Sequence, residues 1–285
     1  MIQHFMRIYM YELEKYLSKH LDELQDVSFQ SDEANTDRPL KEFMKHLIET
    51  RFNAIPSDTK IENLSFENNS NISSEDLKSI KINRVLLPEE ITPTIKAHLR
   101  ESKDAVYTNP DMCLELLANG QFFYETIELK STKQDAIPGS SVQQILPNEW
   151  VIFVKHTSSD TAIATGQYIH AINEKMQFPD RSPRPQVSFK ELKRWNSQNR
   201  ILQYSTLIYK IDSKETLKQK LITDWQDVLA ERWINMLFDS NSIRPNEPWF
   251  NNNMRKFILK FLEKYENLSD EEKQSLKAKI SSLIM

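Results

Sequence analysis

Asp111, Glu128 and Lys130 are the residues of this chain whose types and spacing could do chemistry. Asp111 follows Pro110 and leads into MCLELLA; Glu128-Leu129-Lys130 lies in QFFYETIELKST. Between the two runs sits Asn119-Gly120, a strong hairpin signal, because both central positions of a type I′ turn need positive φ. With Ala118 opposite Gln121, counting outward brings Asp111 opposite Glu128. Directly opposed residues of an antiparallel pair share a face, with Cβ atoms about 4.5–5.5 Å apart. Lys130, two residues past Glu128, projects from that same face. Met112, Leu114, Leu116, Ile127 and Leu129 point the other way, into a core. Two hard carboxylate ligands, completed by waters and a substrate phosphate, suit Mg²⁺ at about 2.0–2.1 Å. Such an ion polarises a phosphodiester and lowers the pKa of a bound water. Lys130 would orient that water or stabilise the growing charge on the phosphate.

The elements that must position these residues are helices, then a small sheet, then helices. Leu13, Tyr16, Leu17 and Leu21 recur at helical spacing, as do Phe43, Met44, Leu47 and Ile48. The first hundred residues therefore read mostly as helix, and a further helix is expected after Pro88. From Asp111 to about His156 the chain is strand-like. Trp150-Val151-Ile152-Phe153-Val154 is a continuous apolar run expected of a strand buried on both faces. Residues 134–147 read as a loop and ATGQYIHAI as one more strand. LKQKLITDWQDVLAERWINMLF, NMRKFILKFLEKY and the stretch from Asp270 onward return to amphipathic helix. The expected fold class is α/β (α+β), a small mixed β-sheet core flanked by helices. Residues 1–105 are expected to form a helical region packing on the core, 106–212 the core sheet with its loops, and 213–285 the C-terminal helices, a candidate dimer interface.

Pro110, Asp111, Glu128 and Lys130, set in PDMCLELLANGQFFYETIELK, resemble the PD-(D/E)xK nuclease superfamily, and within it the type II restriction endonucleases. The resemblance implies a restriction-endonuclease-like core in which Asp111 and Glu128 hold Mg²⁺ and Lys130 is the catalytic lysine. It also implies double-stranded DNA as substrate, a short recognition sequence, a homodimer acting on a palindrome and a bacterial cytoplasm. A second match within the chain, Pro179-Asp180 with Glu191-Leu192-Lys193, fails the structural test. The intervening RSPRP has two prolines and is not expected as a central strand. Phe189, Leu192 and Trp195 moreover recur at helical spacing.

Candidate DNA contacts flank the motif. After Lys130 comes a polar stretch with Lys133, Ser140, Ser141, Gln143 and Gln144, residue types that hold phosphates or read adenine. RSPRPQVSFKELKRWNSQNR is the most basic segment. Within it Arg181 and Arg184, stiffened by the neighbouring prolines, are expected at bases or phosphates. Residues 130–214 hold 12 Lys and Arg against 7 Asp and Glu, a basic middle in a chain of net charge −4. Glu49 is a further candidate ligand, whereas Cys113 is expected to pack. The single cysteine excludes an intramolecular disulfide and a multi-cysteine zinc site and fits a reducing cytoplasm. No apolar run is long enough to cross a bilayer, so no membrane is expected, and the N-terminus reads as a helix rather than a signal peptide. A Gly-rich phosphate loop, a G-x-S-x-G elbow and closely spaced histidine pairs are all missing. Other readings of the same residues are a repair or phage nuclease without sequence specificity, and a non-catalytic DNA-binding or interaction protein.

Overall fold

Positive backbone dihedrals at Asn119 (φ 51°) and Gly120 (φ 74°) close the central hairpin in the computed structural model of the chain. The structure describes residues 1–25, 27, 38–67, 71–103, 110–140, 142, 145–157, 160–177, 184–238 and 249–284. In chain order its first elements are α1 (Ile2–Lys19), α2 (Leu21–Gln25), α3 (Arg38–Arg51), β1 (Asn63–Phe66), β2 (Asn71–Ser73), β3 (Lys81–Leu86) and α4 (Pro93–Lys103). The middle holds β4 (Met112–Ala118), β5 (Gln121–Thr132), β6 (Ala136–Pro138), β7 (Trp150–His156), β8 (Thr161–Gln167), the short α5 (Tyr168–Ala171), β9 (Ile172–Gln177) and β10 (Arg184–Ser188). Then follow α6 (Phe189–Asn199), β11 (Arg200–Gln203), β12 (Thr206–Tyr209), α7 (Glu215–Thr223), α8 (Trp225–Phe238), α9 (Trp249–Glu266) and α10 (Asp270–Leu283).

The fold is mixed α and β, with mixed sheets flanked by helices. The main sheet has the order β3-β4-β5-β7-β8; its pairs are antiparallel except β5 with β7, which run parallel. Leu114, Leu116, Ile127, Leu129 and Ile152 of this sheet share one buried apolar cluster with Phe5, Tyr9 and Leu13 of α1 and Met44, Leu47 and Ile48 of α3. The helical N-terminal region and the sheet thus share one core. On the opposite face Leu86, Ile91, Ile95, Leu99 and Cys113 form a smaller cluster, which accounts for the buried thiol as packing. Residues Met1–Trp225 make one compact unit, and Gln226–Met285 a second. Among the described residues no helix is long and apolar enough to cross a membrane.

Several local expectations change. Three strands, β1, β2 and β3, occur in the region read as helical; β3 is amphipathic and short, and pairing with β4 decides its state. Pro88 opens only a 3-10 turn, Pro88–Glu90, and the helix starts at Pro93. β8 stops at Gln167, after which Tyr168–Ala171 coils into a helical turn. Part of the stretch read as a loop, Ala136–Pro138, pairs with β10. β10 itself is the middle strand of the sheet β6-β10-β9 although it contains Pro185. Its register with β9 shifts between Pro185 and Val187, an irregularity that accommodates a residue without an N–H donor. The helix read through Trp225 breaks at Asp224 into α7 and α8.

Two charged networks lock the periphery. Glu14 on α1 accepts from the backbone N–H of Thr165 (2.6 Å) and pairs with Arg200 (2.7 Å). This satisfies an outward donor on β8, the edge strand of the main sheet, and covers that edge. Glu191, which lies on α6 and not on a strand, pairs with Arg194 (2.6 Å) and with the buried Lys218 of α7 (2.9 Å). Burial alone would raise the Glu191 carboxyl, but the hydrogen bonds from Arg194 and Lys218 outweigh it and hold the pKa at about 2. A folded-state pKa below the ordinary value of 4.5 gives stability that is present above that value and lost as pH falls toward 2. Glu191→Gln is therefore expected to lower the urea midpoint at pH 7 and to flatten its decline between about pH 5 and 2. An unchanged acid profile would show that the pair does not hold α7 in place.

Candidate active site

The register of the hairpin carries the site. Ala118 pairs with Gln121 and Met112 with Ile127, where the ladder ends; Asp111 lies immediately before β4, with its carboxylate on the backbone of Leu129 between Glu128 and Lys130. Asp111 is buried, 7% exposed, and both of its oxygens are engaged. Oδ2 accepts from the backbone N–H of Leu129 (2.9 Å), and Oδ1 lies 2.7 Å from Nζ of Lys41. Lys41 comes from the inner face of α3, where it is buried beside Leu40, Met44, Leu47 and Ile48. Sequence reading missed it, although a lysine in phase with Met44 and Ile48 on an apolar helix face was the available signal.

Glu128 and Lys130 stand two residues apart on β5, with Lys130 Nζ 2.5 Å from Glu128 Oε1. Ser140 Oγ donates to the same oxygen at 3.1 Å and lies 3.5 Å from Lys130 Nζ. The backbone N–H of Ser140 donates to Tyr168 Oη at 3.0 Å. Tyr168, on α5, is the second residue missed, because the segment around it reads as strand. Ser140, expected as a DNA contact, thus stands within the carboxylate cluster. Lys133 is exposed just past β5, and Arg184 is exposed at the start of β10. Neither is hydrogen-bonded to or ion-paired with Asp111, Glu128 or Lys130. Ser141, Gln143, Gln144 and Arg181 lie outside the described residues. Glu49, a candidate extra ligand, instead accepts from the backbone N–H of Val85 at 2.8 Å and so caps β3. Glu115 is held by Arg84, Asn83 and Tyr124.

Electrostatics follow from this packing. Burial raises the Glu128 carboxyl above its ordinary value; repulsion from Asp111 adds to this, and Lys130 opposes it. Burial works against the Lys130 ammonium, but Glu128, with Tyr168 and Asp111, overcomes it and keeps the lysine protonated. Burial likewise pushes the Tyr168 phenol up, so it serves as a neutral hydroxyl.

Among the described residues no group of three or more His, Cys, Asp or Glu is placed to hold a metal ion. A closed protein cage is therefore a poor fit. Two carboxylates, paired here with Lys41 and Lys130, are a donor set that suits Mg²⁺, which takes one or two carboxylates and fills its remaining positions with waters and substrate phosphate. No family model, curated protein or solved structure matches this chain.

Gly139 keeps the cluster tight. A Cβ there would sit 2.5 Å from the backbone oxygen of Pro185 and 2.8 Å from Tyr168 Oη, so strand β10 and the phenol can approach only a glycine. Gly139→Ala is expected to cost about 1–3 kcal/mol, the usual penalty of overpacking, measured by chemical denaturation. A variant as stable as the parent would mean that the 139–140 segment moves aside freely.

Proposed function

We propose that this chain is a magnesium-dependent endonuclease that hydrolyses phosphodiester bonds of double-stranded DNA at a short specific sequence, as the type II restriction endonucleases it resembles do. The observation that carries the reading is the convergence of Asp111, Glu128 and Lys130 at one end of the β4–β5 hairpin, where Asp111 accepts from the N–H of Leu129 and Glu128 pairs with Lys130 on either side of it. Bound Mg²⁺ would supply Lewis-acid polarisation of the phosphate and a more acidic water. Asp111 and Glu128 would hold it. Leu129 N–H fixes the Asp111 carboxylate, and Ser140 fixes that of Glu128, so neither has to be ordered when substrate arrives. Lys130, held protonated and aimed across the same face, would stabilise negative charge building on the phosphate or orient the attacking water. Exposed Lys133 and Arg184, with Arg181 and the Ser141–Gln144 stretch, are the proposed backbone and base contacts. The Arg contacts would supply guanine readout and the Gln contacts adenine readout.

Purified protein incubated with phage DNA and Mg²⁺ is expected to give discrete fragments. Lys130→Met and Glu128→Gln, checked for folding by circular dichroism, should each slow cleavage by at least ~100-fold. Intact DNA under all conditions would sink the reading, and a smear would assign the activity to a nuclease without sequence specificity.

Symmetric cutting of both strands calls for a second subunit, and the C-terminal unit offers a surface for it. Phe257, Leu259, Phe261 and Leu262 of α9 and Ile280 and Leu283 of α10 are all exposed. Apolar side chains at that density on two amphipathic helices mark an interaction face. The proposed occupant is a second copy of the chain. Sedimentation equilibrium is expected to give twice the 33.6 kDa of one chain, and Phe257→Glu with Leu262→Glu to give the monomer. A monomeric parent would remove the dimer from the proposal.

A further inference from the structure

We propose that the cavity where β5 parts from β7 binds a guanine nucleotide, with Arg7 taking its phosphate and Glu125 the donor edge of its base. The ladder between the two strands begins at Ile127 and Trp150. Residues 123–125 and 146–149, just before that point, line a cavity of about 560 Å³ together with Gln3 and Arg7 of α1. Drug-sized ligands occupy clefts of roughly 300–1,000 Å³, so the space exceeds what an inorganic ion fills. The cavity shares no lining residue with the Asp111, Glu128 and Lys130 cluster. One wall is pre-formed, because the N–H groups of Tyr168 and Ile169 donate to the carbonyls of Glu149 (2.8 Å) and Pro147 (3.0 Å).

Arg7 points to an anion. Its guanidinium lies over the rings of Phe66 and Tyr209, 5.2 and 5.4 Å from their centroids. Its Nε is buried without a hydrogen-bond partner, and Nη1 reaches the carbonyl of Gln3 only at 3.5 Å. Among the described residues no carboxylate ion-pairs with Arg7. Burial disfavours its charge, which Tyr209 and Glu215 support only through space. A guanidinium held in place with donors to spare is matched by phosphate oxygens.

The other end of the cavity accepts. Buried Glu125 takes Gln3 Nε2 on one oxygen at 2.7 Å, and a carboxylate accepts at several sites. Phe123 stands two residues before Glu125 and so on the same face of β5. A planar ring laid against Phe123 therefore turns its edge to Glu125. Gln3 and Arg7 are one turn apart, about 6 Å along α1, which separates the acceptor end from the guanidinium. A ligand suited to both ends carries an anionic group and, some way off, a flat ring with paired N–H donors. Guanine has such a pair, N1–H beside the 2-amino group, and a carboxylate takes two parallel donors. The matching edge of adenine sets a donor beside an acceptor.

The test is titration of the full chain with GMP, guanosine and AMP, followed by ligand-observed NMR, which reads weak binding. EDTA is present so that no metal bridges a nucleotide to the hairpin cluster. GMP is expected to bind with a dissociation constant below ~1 mM, more tightly than AMP. Arg7→Gln should weaken GMP at least ~10-fold and leave guanosine within ~2-fold, since only GMP carries the charge that Arg7 meets. Glu125→Gln should weaken GMP and guanosine alike, and Lys130→Met should change neither. If Arg7→Gln is unstable, Arg7→Lys, which loses the planar fork, is expected to show the same split on a smaller scale. A merely structural Arg7 would lower both ligands in step, and that result overturns the proposal. So do a parent that binds no GMP, AMP bound as tightly as GMP, and GMP binding that Lys130→Met abolishes.

Discussion

Two adjacent residues in positive φ, Asn119 and Gly120, decide where every side chain on β4 and β5 points. A hairpin has a side-chain period of two, so a slip of one residue would exchange its two faces. With the turn placed there, Leu114, Leu116, Ile127 and Leu129 face α1 and α3, and Glu128 and Lys130 face away from that core. The apolar set would reach water in the slipped register, and two charged residues would enter the core. The burial that holds the fold together and the placement of the charged cluster are thus consequences of one turn.

Burying Asp111 raises a second constraint, because an isolated carboxylate in a core is costly. Here the cost is offset from two directions, by the N–H of Leu129 on the neighbouring strand and by Lys41 on α3. The helix that closes the apolar core therefore also supplies a charge at its rim. A similar device acts at the far edge of the sheet, where Glu14 of α1 satisfies Thr165 N–H and Arg200. Both α1 and α3 contribute ionic contacts beside their apolar stripes, and these contacts specify orientation where apolar burial alone would tolerate sliding.

The legible parts of the molecule share a property: their partners lie close along the chain. The Asn-Gly hairpin, the buried run Trp150–Val154 and the amphipathic stripe of α1 appear as expected, since propensity and periodicity act within a few residues. The helical reading of Glu191–Lys193 also holds, which removes the second motif match from the sheet. The misread parts depend on distant neighbours. β3 becomes a strand because β4 offers it a ladder, and β10 keeps Pro185 because an irregular register with β9 tolerates it. Tyr168–Ala171 turns helical where the strand pattern ran on, and Tyr168 thereby reaches Ser140.

For the hairpin that carries Asp111, Glu128 and Lys130, the sequence by itself determined the register as far as Met112 and Ile127 and the common side of Glu128 and Lys130, because a two-residue turn and the pleat of a strand are local geometry. Tertiary structure alone decided what surrounds it. Lys41, Ser140 and Tyr168 come from a helix, a connecting segment and a helical turn that meet only when the core closes. Contacts between elements far apart in the chain leave no period or spacing in the sequence. At most they leave an anomaly, such as a lysine on the apolar side of a helix.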